Sequence, residues 1–229
     1  DDLTEIDRCI HVTPKNRGLF REDPVRLLKV FWYAQQMGYT LSQEIKDYIR
    51  ADVHLIDDGV RCSSRALGFL LAILREPKGV AATLRSMHEL GVLGTYIPEF
   101  AKLTRLVQFD FYHRYTVDEH TFLAVETLEH LDEISRFYGE EFRSIASDAK
   151  RLEILRLALL LHDIGKGEGP DHVHKGTSLV EASLARMGIP EPDAEAIRFL
   201  VARHLEMSHI AQRLDLDDEA IVIDFAKKV

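Results

Sequence analysis

The sequence has only two cysteines, Cys9 and Cys62, which lie far apart and form no Cys-x-x-Cys pattern. This excludes a disulfide framework and indicates reduced thiols, so we expect a cytoplasmic protein. No stretch approaches the length of apolar sequence that a membrane span needs, and no signal-peptide pattern is present. Proline and glycine are also sparse, at 7 and 13 of 229 residues, and there is no low-complexity segment.

Positive charge is the other scarce feature, because the net charge is −9 at neutral pH. Binding to nucleic acid phosphates needs a basic face, so nucleic acid is excluded as the main partner. The remaining composition, 46% hydrophobic and 29% charged, is typical of a globular protein of one large or two small domains. The first residue is Asp rather than Met, so we expect a piece of a longer chain.

Helical spacing of apolar residues dominates the pattern. Only Ile10-His11-Val12 resembles a strand. The pattern weakens around residues 96–108, where Pro98 interrupts it, and we therefore predict an all-α fold with a helical connector over 1–100 and a helical bundle over 101–229. The predicted helices cover residues 24–38, 66–75, 81–90, 116–137, 148–164, 172–187, 192–207 and 217–228.

The most informative feature is the dipeptide His162-Asp163, which ends the apolar run 157–161. A helix that is apolar on every side is a buried helix. Burying a charged carboxylate is costly unless a cation or hydrogen bonds compensate it. The pair therefore predicts a metal ion close to His162 and Asp163.

Other predicted helices also place histidines on apolar faces. His120 and His204 share such faces, and His172 begins a helix four residues before Gly176. A single histidine of this kind is usually a satisfied core residue, but several around one carboxylate predict a metal site between facing helices. The face-sharing residues are Leu123, Ala124, Thr127, Leu128 and Leu131 for His120, and Ile197, Leu200 and Val201 for His204.

Several motifs together resemble a known family. His162-Asp163-Ile164-Gly165-Lys166-Gly167 resembles the signature of the HD superfamily of metal-dependent phosphohydrolases. The blocks at 109–120, ending in YTVDEH, and at 204–215, beginning with HLEMS, resemble the HD domain of the bifunctional uridylyltransferase/uridylyl-removing enzymes. The stretches 20–24, 87–94 and 96–100 are similar to the connector of that family. The resemblance implies an HD-domain helical bundle after an N-terminal helical connector, although Glu206 and Leu214 depart from the family pattern.

The resemblance also implies a ligand set. The residues that match the primary ion site are His120, His162, Asp163 and Asp215. His172 and His204 match positions that help to hold a second ion or the phosphate. Asp215 has an alternative role as a capping carboxylate for the last helix, where Asp217 and Asp218 lie nearby.

Further residues are candidates for the chemistry itself. Asp163 and Lys166 are the predicted catalytic residues, with Lys166 offsetting charge on the substrate phosphate. A lysine at this place is equally favoured by the dipole of the preceding helix. Arg114 and His113 are candidates for contact with the substrate phosphate. The general acid stays open, with Asp118, Glu119 and Asp171 as the candidates.

The family resemblance implies hydrolysis of the phosphodiester between UMP and a tyrosine of the PII nitrogen-signalling protein. A bound ion would supply hydroxide near neutral pH and polarise the phosphoryl oxygen. Mixed imidazole and carboxylate ligands favour Mn²⁺, with Fe²⁺, Zn²⁺ and Mg²⁺ as alternatives. The expected partners are the PII protein and the nucleotidyltransferase and ACT domains of the full-length family pattern, which this sequence does not contain.

Two alternative functions compete with this hypothesis. The first is an HD phosphohydrolase that acts on a free nucleotide such as (p)ppGpp or a dNTP. A cyclic-dinucleotide enzyme is disfavoured because His-His-Glu and Gly-Tyr-Pro motifs are absent. The second is a helical scaffold without activity, which would be expected to have lost at least one metal ligand.

Overall fold

The computed structural model describes residues 3–13, 18–107, 115–138, 144, 150–168, 172–213 and 218–228. Within these ranges the protein is helical apart from one small sheet, so the predicted all-α class is confirmed. The elements of the N-terminal half are β1 Leu3–Ile6, β2 Cys9–Val12, α1 Leu19–Glu22, α2 Arg26–Met37, β3 Thr40–Leu41, α3 Gln43–Asp52, α4 Asp58–Arg61, α5 Ser64–Arg75, α6 Val80–Glu89, α7 Val92–Tyr96 and α8 Pro98–Ala101.

The C-terminal half contains longer helices. They are α9 Val117–Glu129, α10 Leu131–Tyr138, α11 Leu152–Leu161, α12 His172–Met187, α13 Glu191–Arg203, α14 Glu206–Arg213 and α15 Glu219–Lys228. A 3₁₀ turn, Ile164–Glu168, follows α11. None of the helices in the described ranges has both the length and the apolar character needed to cross a membrane.

The small sheet has the order β1-β2-β3. β1 pairs with β2 in antiparallel register, with Leu3 opposite Val12. β2 pairs with β3 in parallel register, with Cys9 opposite Thr40. The predicted strand-like stretch thus forms the central strand. Its two neighbours were not predicted, because β3 has only two residues and the sequence of β1, Leu-Thr-Glu-Ile, does not alternate.

Glycines end two helices as the sequence predicts. Gly38 and Gly188 adopt left-handed φ values of +65° and +69° immediately after α2 and α12, a conformation that favours glycine. Two other predicted helices were wrong in length. The helix predicted over 116–137 ends at Glu129 and restarts at Leu131, and the one predicted over 192–207 ends at Arg203 and restarts at Glu206.

The buried apolar residues of both halves form one continuous cluster. Helix α11 lies at its centre and packs against α5 of the N-terminal half and against α9 and α13 of the C-terminal half. Its position explains why the sequence 157–161 is apolar on every side, since a helix with neighbours all around has little face left for water. The helix that carries His162-Asp163 at its end is therefore held from both halves.

The buried face of α9 differs from the predicted one. Its fully buried residues are Val117, Asp118, Thr121, Phe122 and Val125. The predicted face, with Leu123 and Ala124, is only half-buried, and Thr127 is exposed. Both stripes have helical spacing, so the sequence alone could not tell which one faces the core. His120 consequently lies at the rim of the core with 43% of its side chain exposed.

A buried ion pair ties α8 to α12. Arg186 donates through Nη1 and Nη2 to the two carboxylate oxygens of Glu99, at 2.8 and 2.6 Å. Burial by itself raises the pKa of Glu99, but the hydrogen bonds and charge of Arg186 outweigh it and hold the pKa below its ordinary value. The ionised carboxylate is therefore the form that stabilises the fold.

This pair predicts a dependence of stability on pH. Because the pKa of Glu99 is depressed in the folded protein, its contribution is fully present above the ordinary value of 4.5 and is lost as the pH falls through the folded value. The free energy of unfolding, measured by urea denaturation, should be higher for the unmodified protein than for Glu99→Gln at about pH 7, with the gap closing toward about pH 3. A gap that stays constant over this range would contradict the prediction.

Candidate metal centre

Helix α11 delivers His162 and Asp163 into the protein interior. Residues 157–161 are buried or half-buried, and the side chain of Asp163 is only 3% exposed. After Asp163 the chain tightens into the 3₁₀ turn, in which the amide of Lys166 donates to the carbonyl of Asp163 at 2.9 Å. The sequence therefore places an ionisable carboxylate at the end of an apolar helix, as predicted.

Two histidines are oriented by the backbone of the helices that carry them. The Nδ1 of His162 lies 2.6 Å from the carbonyl oxygen of Leu159, and the Nδ1 of His204 lies 2.6 Å from that of Val201. A carbonyl oxygen only accepts, so Nδ1 carries the proton in both rings. Nε2 is then the ring nitrogen that faces the interior of the site, the arrangement found in histidines that bind metals.

The Nε2 atoms of three histidines converge on Asp163. The Nε2 of His162 lies 3.1 Å from Oδ2 of Asp163, that of His120 lies 4.0 Å from the same oxygen, and that of His204 lies 3.9 Å from Oδ1. Ligand atoms of His120, His162 and Asp163 all lie within 4.8 Å of one another. The ring of His162 is between the other two, with centroid distances of 5.5 Å to His120 and 5.1 Å to His204.

The carboxylate of Asp163 is ionised despite its burial. Burial by itself raises its pKa, but the close His162 ring and the Lys166 ammonium, 2.9 Å from Oδ2, outweigh burial and hold the pKa well below its usual range. No contact of Oδ2 with a described residue has hydrogen-bond geometry. A buried anionic oxygen surrounded by nitrogens that do not donate to it with proper geometry is better suited to a shared cation.

The ring of His204 is kept neutral by its surroundings. Burial lowers its pKa, and the neighbouring His162 acts in the same direction, while the contact with the Val201 carbonyl opposes them. A neutral imidazole keeps the lone pair that metal binding requires. This donor set of imidazoles around one carboxylate fits a divalent transition ion such as Mn²⁺, Fe²⁺ or Zn²⁺.

A pocket opens beside these ligands. Its floor is formed by the α11 end and the 3₁₀ turn, and its walls by α12 and α13. The lining residues are His162, Asp163, Gly165, Lys166, Gly176, Thr177, Val201, Ala202, His204 and Leu205. Thr177 was not predicted, because a single threonine on a helix has no sequence signal. The ammonium of Lys166 and the threonine hydroxyl are polar groups that could meet a phosphate at this place.

Glycines bring the walls of the pocket together. A Cβ on Gly176 would lie 3.5 Å from Cα of Gly165, which is an ordinary contact that leaves no further room. A Cβ on Gly167 would lie 2.7 Å from Cβ of Lys102, so any side chain there requires a shift of the backbone. The turn after Asp163 is thus packed directly against the end of the N-terminal half.

Some of the predicted site residues lie outside the part of the chain that the structure describes. His172 begins α12, but its side chain lies outside the described part of the chain. Arg114, His113 and Asp215 also lie outside the described residues, so their predicted roles stay predictions. The structure therefore brings together His120, His162, Asp163, Lys166 and His204.

Two candidates for the general acid are bound elsewhere. Asp118 is buried and accepts from the backbone amides of Arg105 and Glu119, at 2.9 and 3.0 Å. Glu119 forms an ion pair with Arg85 at 2.8 Å. Neither lines the pocket. The third candidate, Asp171, lies outside the described residues.

Two family models match this chain. Residues 6–96 match the model described as uridylyltransferase GlnD third domain. Residues 117–229 match the model described as HD domain. The second range contains all the side chains that converge on Asp163. The first range contains α5, which packs against α11, and α6, which packs against α9.

Curated relatives are similar over nearly the whole chain. A protein of Ruegeria pomeroyi named bifunctional uridylyltransferase/uridylyl-removing enzyme is 37% identical over 214 residues, which are 92% of this chain and 23% of the relative. A protein of Hydrogenovibrio crunogenus with the same name is 36% identical over 231 residues, which are 98% of this chain and 26% of the relative. The chain thus spans about a quarter of the length of these relatives.

Proposed function

Since this chain belongs to the HD-domain family of the uridylyltransferase/uridylyl-removing enzymes, we propose that it hydrolyses the bond between UMP and a uridylylated tyrosine of the PII signal protein. The HD domain is that of a metal-dependent phosphohydrolase. The observation that carries the proposal is the convergence of the Nε2 atoms of His120, His162 and His204 on the buried Asp163, within the region that matches the HD domain.

The ligand chemistry supports a divalent ion, for which Mn²⁺ is the proposed choice. His120, His162, Asp163 and Asp215 would hold a first ion, and His172 and His204 would hold a second ion or the phosphate. When bound, such an ion lowers the pKa of a water molecule and polarises a phosphoryl oxygen.

Residues of the chain itself would balance the charge of the ion and bind the substrate phosphate. Asp163 supplies the negative charge that offsets the cation, and its low pKa keeps it ionised over the physiological range. Lys166, at the pocket wall, would meet the substrate phosphate, with Arg114 and His113 as further phosphate contacts. Val201, which is half-buried, places apolar surface beside these groups, and excluding water there strengthens charge interactions.

The reaction is balanced by one water molecule. Its oxygen forms a new bond to phosphorus, and the bond between phosphorus and the tyrosine oxygen breaks. The phenolate takes up a proton, and UMP and unmodified tyrosine are released. A protein substrate is also consistent with an acidic chain, because it does not require the basic groove that nucleic acid does. We place this reaction in the cytoplasm.

The test is UMP release from uridylylated PII protein in the presence of Mn²⁺. We expect release by the unmodified chain and its loss in His162→Ala, since the substitution removes a nitrogen 3.1 Å from Asp163. His54→Ala is the matched control, because the exposed His54 has a similar contact between Nδ1 and a backbone carbonyl, at 2.9 Å, in the N-terminal half. If the unmodified chain instead hydrolyses only (p)ppGpp or a dNTP, the uridylyl-removing assignment is refuted.

A further inference from the structure

Acidic side chains on one face of α9 bind α6 along its length. Glu129 accepts from the backbone amides of Gly79 and Ala81, both at 2.6 Å, at the start of α6. Arg85, in the middle of α6, contacts both Glu119 and Glu126 at 2.8 Å. The helix that carries His120 is therefore held by a helix of the N-terminal half.

A third contact completes this interface at the start of α9. The Nε2 of His88 on α6 lies 3.1 Å from Oδ2 of Asp118, and both side chains are largely buried. The His88 ring packs between Phe100 and Phe122, at centroid distances of 5.7 and 5.4 Å. The first turn of α9, which contains His120, is thus enclosed by the N-terminal half.

The spacing of the two glutamates gives Arg85 a particular role. Glu119 and Glu126 are seven residues apart, so they lie one above the other on nearly the same face of α9. A single guanidinium that binds both resists rotation of the helix about its axis. His120 follows Glu119 directly and points about 100° further around the helix, toward Asp163.

A small rotation would displace the imidazole appreciably. A helix with its side chains has a radius of about 5–6 Å, so a turn of about 10° moves a side-chain end by about 1 Å. Displacements of that size at a reacting centre are costly. The Nε2 of His120 already lies 4.0 Å from Asp163, at the outer limit of the cluster.

We propose that Arg85 is a positioning residue of the metal centre: by bridging Glu119 and Glu126 it fixes the rotation of α9 and holds His120 within reach of the ion shared with Asp163. This rests on the proposed function only in taking His120 as a metal ligand. Among the described residues, Arg85 lines no part of the pocket and contacts none of His120, His162, Asp163 and His204. It acts from the half of the chain that precedes the HD domain. A displacement of α6 would therefore move His120 through Arg85 and the two glutamates of α9.

The test is the affinity for Mn²⁺ of the whole chain, measured by electron paramagnetic resonance of the free ion. Arg85→Met should weaken binding at least about tenfold, the usual effect of losing a residue that orients a ligand. It should also change the visible spectrum of bound Co²⁺. Arg61→Met is the matched control, because Arg61 is similarly buried, at 22% exposed against 27%, and contacts Asp58 and the carbonyl of Thr95 within the N-terminal half.

We expect both variants to lower the melting temperature of the metal-free chain, and only Arg85→Met to change the Mn²⁺ affinity and the Co²⁺ spectrum. An Mn²⁺ affinity of Arg85→Met within about twofold of the unmodified chain overturns the proposal. If Arg85→Met does not fold, Glu126→Gln replaces it as the test variant, because it leaves the contact between Arg85 and Glu119 in place. Glu126→Gln should weaken Mn²⁺ binding by about threefold. An unchanged Mn²⁺ affinity of this variant would then overturn the proposal. The Mn²⁺-binding measurement uses no substrate, so its result does not depend on the proposed reaction. A chain that binds Mn²⁺ but releases no UMP would refute the proposed reaction, and the role of Arg85 could still be tested.

Discussion

Asp163→Asn is expected to abolish stoichiometric binding of a divalent ion and to lower the hydrolytic rate by about 10³-fold or more. The amide has almost the shape of the carboxylate but no negative charge. The Nε2 atoms of three histidines would then face a neutral group. The ammonium of Lys166, now 2.9 Å from Oδ2, would lose its counterion and repel a cation. Both effects act against the ion in the same direction.

Metal content of the purified variant and UMP release from uridylylated PII protein are the two measurements. Asp52→Asn is the matched control, since the Asp52 side chain is also 3% exposed and pairs with Arg21 at 3.1 Å, but lies on α3. Both variants lose a buried carboxylate, and only one loses it at the metal centre. An Asp163→Asn protein with one bound ion and a normal rate would show that this carboxylate is not a ligand.

Arg156→Met is expected to cause the largest loss of stability, about 3 kcal/mol. Arg156 lies on α11, is 1% exposed and donates through Nη1 to the carbonyls of Leu74 and Glu76, at 2.6 and 2.5 Å. These carbonyls stand at the end of α5, where the helix leaves its last acceptors without partners. Methionine fills the place of the aliphatic stem but donates nothing, so the buried carbonyl of Leu74 and the partly buried carbonyl of Glu76 lose their donor.

A second effect opposes this loss in part. Burial lowers the pKa of Arg156, which shows that its charge is desolvated, and methionine relieves that cost. The expected loss in the free energy of unfolding is therefore smaller than the summed cost of leaving two carbonyls fully unsatisfied. For a chain of 229 residues it corresponds to a fall of roughly 6–12 °C in the melting temperature.

Arg198→Met provides the comparison for this prediction. Arg198 contacts Glu181 and Glu191, but its side chain is 28% exposed, so its loss should destabilise the fold far less than the loss of Arg156. Thermal denaturation of the metal-free proteins separates the two. Equal melting temperatures for Arg156→Met and the unmodified chain would mean that the buried carbonyls find other partners.

Much of the metal centre could be predicted from residues that are close in sequence. A run of apolar residues that ends in His162-Asp163 predicts a buried helix with a buried carboxylate at its end, and the structure has both. His204 could be placed because its helix has a single apolar face. The HDIGKG and YTVDEH blocks, which resemble those of a known family, indicate His120, His162 and Asp163, and the structure brings these three together.

The tertiary structure alone decided which face of α9 is buried and what holds it. His120 was predicted on a face with Leu123 and Ala124, whereas the core receives Thr121, Phe122 and Val125. The reason is that Arg85 and His88 of α6 contact the acidic residues of α9, and these contacts select the rotation of the helix. Such pairings join residues about 30 positions apart, so they cannot be predicted from the spacing of residues within one helix.

The difference between what local sequence and what tertiary packing determines also applies to the buried Arg156 of α11. Local sequence determined that this helix is buried, because burial of apolar side chains depends on residue type and spacing. Whether Arg156 within it points to water or to the end of α5 depends on where the two helices meet. The sequence by itself thus determined the candidate metal ligands at the end of α11. The packing of the N-terminal half against α9 and α11 decided how these two helices are held, since a polar group can be buried only where another element satisfies it.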